Sequence, residues 1–285
     1  MRLPAAQSAL FIILVSILSG CATVEKVKLA DEDFVGKPIS IKTEVPFVEQ
    51  TPSLCGPTAL YMVAKLSKPE LDLDQVKALT FSPGAKGTYK QDLLSGARRL
   101  GLAPYQVASL HQVFDYLAEQ TPVLIFHQTD FLWQNYWHFS VLTGYDRAKQ
   151  TFAVHIGNSP YRDMDISQVV KTWKLGGEWA YVIFPAGHLP KPASFEDALA
   201  NSLAFIRLTF YSAAVELAEE MQKRWPEHYE ADLVLADAYS KLNRDEDAVR
   251  ALHAAYRKNP QNAVLAKKIA ELKSDQKNVL KSRVN

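Results

Sequence analysis

Two cysteines occur in the 285-residue chain, Cys21 and Cys55, and the second sits where its neighbours could make it a nucleophile. It lies in VPFVEQTPSLCGPTAL, residues 45–60, where Cys55-Gly56-Pro57-Thr58 opens a helical run through Leu66. Pro57 suits a first helical position, because its missing N–H costs nothing there. A thiol attacks only as the thiolate, and the free N–H dipoles of a helix start lower its pKa. Gln50 lies five residues upstream, across Thr51-Pro52. Its side-chain amide and the Cys55 backbone N–H could point at one space and stabilise the oxyanion of an acyl-transfer intermediate. The base this chemistry needs is expected in His138, after the aromatic cluster Phe131, Trp133, Tyr136 and Trp137. An imidazole within reach of the thiol would form a thiolate–imidazolium pair and later protonate the leaving amine. The competing reading is a packed Cys55 and a hydrogen-bonded, structural His138.

Elements able to position these residues follow from periodicity and punctuation. Val45 to Val48 reads as a short extended stretch. Asp72 can cap a helix carrying Leu73, Val76 and Leu79, and Thr88 to Leu100 reads as a helix stopped by Gly101. Ser109 with Gln112 is a capping-box pattern for a helix through Glu119. The period then changes. Residues 122–127, 138–145 and 151–156 read as strands, the last two joined in an antiparallel hairpin. A helix from Asp165 to Trp173 and a strand from Trp179 to Phe184 complete the unit. Helices first and an antiparallel sheet after define an α+β domain. We place it at residues 41–185, with a Pro-rich linker at 186–193.

From Ser194 onward the chain is rich in Ala, Leu and Glu, and a period of 34 appears: Ala214-Val215 returns as Ala248-Val249, and Trp225-Pro226 as Asn259-Pro260. Leu235, Ala236, Tyr239, Ala248, Leu252 and Ala255 fall between the prolines in the order of a tetratricopeptide repeat. Residues 194–285 are therefore expected to form an all-α tetratricopeptide-like module that packs or binds and performs no chemistry.

The amino terminus reads as an export signal over residues 1–20: Arg2, an apolar run from Ala9 to Leu18, then Ser19-Gly20. Leu18-Ser19-Gly20-Cys21 resembles the lipobox of bacterial lipoproteins. That resemblance implies lipidation of Cys21, a tether over residues 21–40, and an address on the periplasmic face of the outer membrane, since Ala22 follows the cysteine. The net charge of +1 gives no electrostatic case for nucleic acid. With Cys21 lipidated, Cys55 is left as a free thiol in an oxidising compartment.

The order Gln, Cys-Gly at a helix start, then His at a strand start resembles the papain-fold cysteine peptidases of the bacteriocin-processing, double-glycine-leader type. The stretches that carry the resemblance are residues 45–60, WHFSVLTGYD (137–146) and FAVHIGNSP (152–160). It implies Cys55 as nucleophile, His138 as general base and Gln50 as oxyanion donor. The family's orienting Asp-Pro is matched here by Gly157-Asn158-Ser159-Pro160, which puts Asn158 in the orienting place, with Asp146 and Asp163 as fallbacks. Trp133, Tyr136 and Trp137 are candidates for a substrate wall. His127, His138 and His155 fall on neighbouring strands, but no closely spaced ligand pair accompanies them, so no metal and no cofactor is expected. The expected function is a lipid-anchored envelope cysteine peptidase that cleaves peptide or protein substrates, its repeats free for a protein partner. Two alternatives stay open: an idle peptidase-like scaffold, and an amidase or transglutaminase using the same dyad.

Overall fold

The sequence WHFSVLTGY alternates so that Phe139 and Val141 share one face of a strand while His138, Ser140 and Leu142 share the other. This strand, β4, spans Gln134–Asp146 and forms the middle of the sheet. The chain was analysed as a computed structural model that describes residues 36–131, 134–267 and 269. Among them, seven strands form one antiparallel sheet: β1 (Ser40–Lys42), β2 (Leu102–Gln106), β3 (Val123–Phe131), β4, β5 (Thr151–Ile156), β6 (Ser159–Asp165) and β7 (Ala180–Pro185). The spatial order is β2-β7-β3-β4-β5-β6, and β1 pairs with residues 144–146 of β4.

Two helical layers cover this sheet. On one face lies α1 (Cys55–Ala64), buried at nine of its ten positions, as expected of a helix that is apolar on nearly every side. Its Ala59, Leu60 and Val63 pack with Leu124, Phe139, Val141 and Trp179, and α2 (Leu73–Thr80) and α3 (Lys90–Arg99) enclose it from outside. Asp72 makes the expected cap at the start of α2, and Gln75 completes it as a capping box. On the opposite face, α4 (Leu110–Ala118) and α5 (Ile166–Leu175) bury Phe114, Val169 and Trp173 against Leu142, Tyr145 and Phe152. Ser109 caps α4 through the Gln112 N–H, while the Gln112 side chain turns to the Ala108 N–H.

The helical region follows as α6 (Phe195–Arg207), α7 (Tyr211–Arg224), α8 (Tyr229–Lys241) and α9 (Asp245–Lys258), consecutive helices packing on one another. The interior faces of α7 to α9 carry Ala214, Leu217, Ala218, Ala231, Ala238 and Ala255, all fully buried. Such small side chains let neighbouring helices approach closely. A helical stretch at 263–267 continues the array, with Leu265 against Leu252 and Ala255.

The helical region is built into the sheet domain. Strand β2 lies at the sheet edge, where unpaired backbone groups invite association with other chains. Helix α6 covers them: the Asn201 side chain donates to the Pro104 carbonyl at 2.8 Å, and the Asp197 carboxylate accepts the Gln106 N–H at 3.0 Å. Arg98 of α3 donates to the other end of the Asn201 amide at 2.8 Å. The stretch 186–193 is pinned between the two parts. Leu189 and Ala193 are buried, and the Arg224 guanidinium donates to the carbonyls of Leu189, Pro190 and Lys191.

Residues 45–48, expected as an extended stretch, join no strand, and the Val45 carbonyl is held by His155 and Tyr161. Strands β1, β2 and β6 are additional, and the last two contain a proline, Pro104 and Pro160. Both of these are edge strands, the place in a sheet where a missing N–H is tolerated.

Replacing Asn201 with Ala should leave Arg98 and the Pro104 carbonyl without their partner, at a cost of about 1–3 kcal/mol. Urea unfolding should show a lower midpoint with an unchanged slope. An unaltered midpoint would show that the α6 contact contributes nothing to stability.

Candidate active site

Strand β5 follows β4 only as far as the pair Val141 and His155. Beyond it, on the β5 side, β4 has a free edge at Phe139, and the expected site residues gather there. The Phe139 carbonyl accepts from Gln50 Nε2 at 3.0 Å, and the Phe139 N–H faces the Cys55 sulfur. Cys55 is the first residue of α1, so its own N–H and that of Gly56 also point at Sγ. A side chain at position 56 could not be accommodated: a Cβ there would lie 2.9 Å from Thr88 Cβ and 3.2 Å from the Phe139 ring. Glycine after the cysteine thus allows the helix start to reach β4.

Gln50 is buried, and its amide has a full set of partners. Nε2 donates to the carbonyls of Cys55 at 3.1 Å and Phe139 at 3.0 Å. Oε1 accepts the Gly157 N–H at 2.8 Å and meets His138 Nε2 at 2.9 Å. The Gln50 backbone N–H completes the link, donating to the Gly157 carbonyl at 2.8 Å. The Cys55 backbone carbonyl and the His138 ring are therefore both hydrogen-bonded to one side chain. Gln50 is the expected oxyanion donor, and in this geometry both of its amide hydrogens are engaged by carbonyls.

None of the three expected orienters is the hydrogen-bond partner of His138. Gly157, with φ +58°, and Asn158 form the two-residue loop between β5 and β6, since Ile156 pairs with Ser159. Glycine at positive φ in the first loop position suits such a hairpin. The loop leaves Asn158 exposed, with its Oδ1 accepting from the Ser159 hydroxyl. Asp146 ends β4 eight residues beyond His138 and pairs with Lys149, and Asp163 is exposed on the edge strand β6. The partner of His138 Nε2 is Gln50.

Electrostatics also differ from the expected ion pair. Burial pushes the Cys55 thiol above its usual value, and the N–H groups of Phe139, Gly56 and Cys55 only partly offset this. Burial pushes His138 down to about 4. Both groups are therefore neutral near pH 7, because desolvation outweighs the helix start. His127 lies opposite His138 in the β3–β4 register and is driven down to about 3, by burial first and then by His138. It bonds Ser140 and Thr172 and is a neutral core residue. His155 is another, its Nδ1 accepting the Tyr161 N–H and its Nε2 donating to the Val45 carbonyl. Among the described residues, no group of three or more His, Cys, Asp or Glu could hold a metal ion.

Of the aromatic candidates, Tyr136 and Trp137 are exposed at 42% and 48%. Adjacent strand residues point to opposite faces, so Tyr136 shares the face of His138, Trp137 lies on the other, and the two form no single wall. Trp137 shares the face of Phe139 and α1, with its ring stacked on Phe126 at 5.4 Å. Trp133 and Cys21 lie outside the described residues.

Replacing Asn158 with Ala should leave the alkylation rate of Cys55 by iodoacetamide within about twofold of wild type, since exposed substitutions away from a network have little effect. A drop of tenfold or more would restore Asn158 to the site.

Residues 42–180 match the model of the Peptidase C39 like family, and residues 211–279 match a tetratricopeptide repeat model. Comparison with curated proteins finds no match. Three similar solved structures illustrate the distance. A double glycine motif protease from an AMS/PCAT transporter, in complex with the leader peptide, is 21% identical, covering 50% of this chain and 94% of its own at a TM-score of 0.38. The peptidase domain of Streptococcus ComA, a bi-functional ABC transporter involved in quorum sensing, is 18% identical over 50% of this chain and 98% of its own, TM-score 0.39. A C39-like peptidase from Bacillus anthracis is 16% identical over 54% and 99%, TM-score 0.41. Residues 42–180 are thus a peptidase C39-like domain, and tetratricopeptide repeats follow it at residues 211–279.

Proposed function

We propose that this protein is a cysteine peptidase in which Cys55 attacks the carbonyl carbon of a peptide bond. The observation that carries the reading is that the Cys55 backbone carbonyl and the His138 ring meet one buried amide at the free edge of β4, where the Phe139 N–H faces the Cys55 sulfur. The thiol and imidazole are both neutral beforehand, so the proton leaves Sγ for His138 as the carbon–sulfur bond forms. The N–H groups of Cys55 and Gly56 are the donors that the helix start offers to the developing oxyanion. His138 then protonates the leaving amine, and water cleaves the thioester to regenerate the thiol. Trp137 supplies an aromatic surface for substrate on the Cys55 side of β4.

The leader and the lipobox-like Cys21 support lipid anchoring in a bacterial envelope, and the repeats support binding of a protein partner or substrate. Among the described residues, no helix is long and apolar enough to cross a membrane.

A Cys55→Ser variant expressed in cells should accumulate the uncleaved substrate, identifiable by comparing envelope proteins with those of the wild type. Accumulation of nothing, alongside unchanged processing, would contradict the reading. Peptidase activity should also have an unusual acid limb. His138 accepts a proton only when neutral, and its pKa lies at about 4 instead of 6.5. Activity should therefore persist as pH falls through 6.5 and disappear towards 4. Half-loss near 6.5 would show that His138 is not the buried base described here.

A further inference from the structure

The Gln50 amide has two hydrogens and one oxygen with two lone pairs, and all four hydrogen-bonding positions are filled. Which end is oxygen follows from backbone chemistry. The Gly157 N–H can only donate, so the atom facing it is Oε1. The carbonyls of Cys55 and Phe139 can only accept, so the atom facing them is Nε2. Three backbone groups from three segments therefore fix the amide, and the opposite orientation would set two oxygen–oxygen contacts and one N–H against N–H.

This orientation determines the state of His138. Oε1 has no hydrogen to give, so neutral His138 must carry its proton on Nε2 to bond it at 2.9 Å. Nδ1 then holds the lone pair. We infer that Gln50 is the positioning residue of the dyad, fixing His138 in the Nε2–H tautomer so that Nδ1 is the base, and that it does not serve as an oxyanion donor. The inference rests on the reading of Cys55 and His138 as a reacting pair.

In this arrangement Gln50 supplies what a buried carboxylate supplies in a Ser-His-Asp triad, namely tautomer and ring direction, without a negative charge. A neutral orienter does not stabilise imidazolium by charge, which agrees with an imidazole that stays unprotonated before attack. The β5–β6 turn belongs to the same device, because Gly157 exchanges two hydrogen bonds with Gln50. Asn158, next to it, points outward to Ser159. The chain thus holds its histidine from the segment preceding the nucleophile.

Two measurements on the full-length protein test this. The first is the rate of Cys55 alkylation by iodoacetamide in wild type, His138→Ala and Gln50→Ala. This reaction is a displacement at a saturated carbon and develops no oxyanion, so loss of an oxyanion donor cannot slow it, whereas loss of the base or of its orientation can. The expected result is a wild-type rate at neutral pH that falls at least about tenfold in both variants, because a buried neutral thiol depends on the imidazole to take its proton. If His138→Ala slows the reaction and Gln50→Ala does not, the positioning role is overturned while the dyad stands. If His138→Ala leaves the rate unchanged, the dyad reading falls and the inference with it.

The second measurement is nitrogen NMR of histidine-labelled protein, with His138 assigned by its loss in His138→Gln. Wild type should show the proton on Nε2 and a bare Nδ1, and Gln50→Ala should give mixed tautomers at His138. His155 is the internal control for folding, because its tautomer is held by the Val45 carbonyl and the Tyr161 N–H. A proton on Nδ1 of His138 in wild type, or an unchanged tautomer in Gln50→Ala with His155 intact, would overturn the inference.

Discussion

Everything at the proposed site depends on the point where β5 stops accompanying β4. An antiparallel ladder that continued past Val141 would occupy the Phe139 N–H and carbonyl with another strand. Because it ends there, two backbone groups in the middle of a sheet need partners, and buried backbone groups without partners are costly. The Gln50 amide takes the carbonyl, and the start of α1 brings the Cys55 sulfur to the N–H. The gap that gives the chemistry its space is thus also the reason a polar side chain and a thiol are stable there.

The second constraint is desolvation. A helix start favours a thiolate, and an adjacent imidazole favours an ion pair, so composition alone points to a charged dyad. Burial reverses that balance. Phe126, Phe139 and Trp179 pack around α1, and the thiol rises while the imidazole falls. Water leaving a closed site strengthens each remaining hydrogen bond, which suits a mechanism where a proton moves during attack and charge develops only transiently.

Much of this architecture was legible from local rules. Cys55-Gly56-Pro57 announced a helix start, Asp72 and Ser109 announced caps, and the strand period of residues 138–145 announced β4. The α+β order and the repeats followed from the same signals. What stayed hidden depended on partners distant in sequence. Strands β2 and β6 carry prolines that argue against a strand until their edge positions are known. Asn158 was misplaced because residue order cannot show that Gly157 and Asn158 make a two-residue turn whose backbone, not its side chain, meets the site. Gln50 stands out by its spacing from Cys55, but its partners do not, since its hydrogen bonds to Phe139 and Gly157 span 89 and 107 residues. The covering of β2 by Asn201 and Asp197 was equally invisible. It makes α6, the helix on which the repeats begin to pack, part of the covering of the peptidase-like domain.

The central claim is that Cys55 forms a covalent acyl intermediate, and acid quenching of the protein during turnover of a peptide mixture tests it most directly. Mass spectrometry of the digested protein should find a peptidyl thioester on Cys55 that disappears as product forms. An acyl group on a different residue, or turnover that proceeds with Cys55 unmodified and persists in Cys55→Ala, would contradict the account.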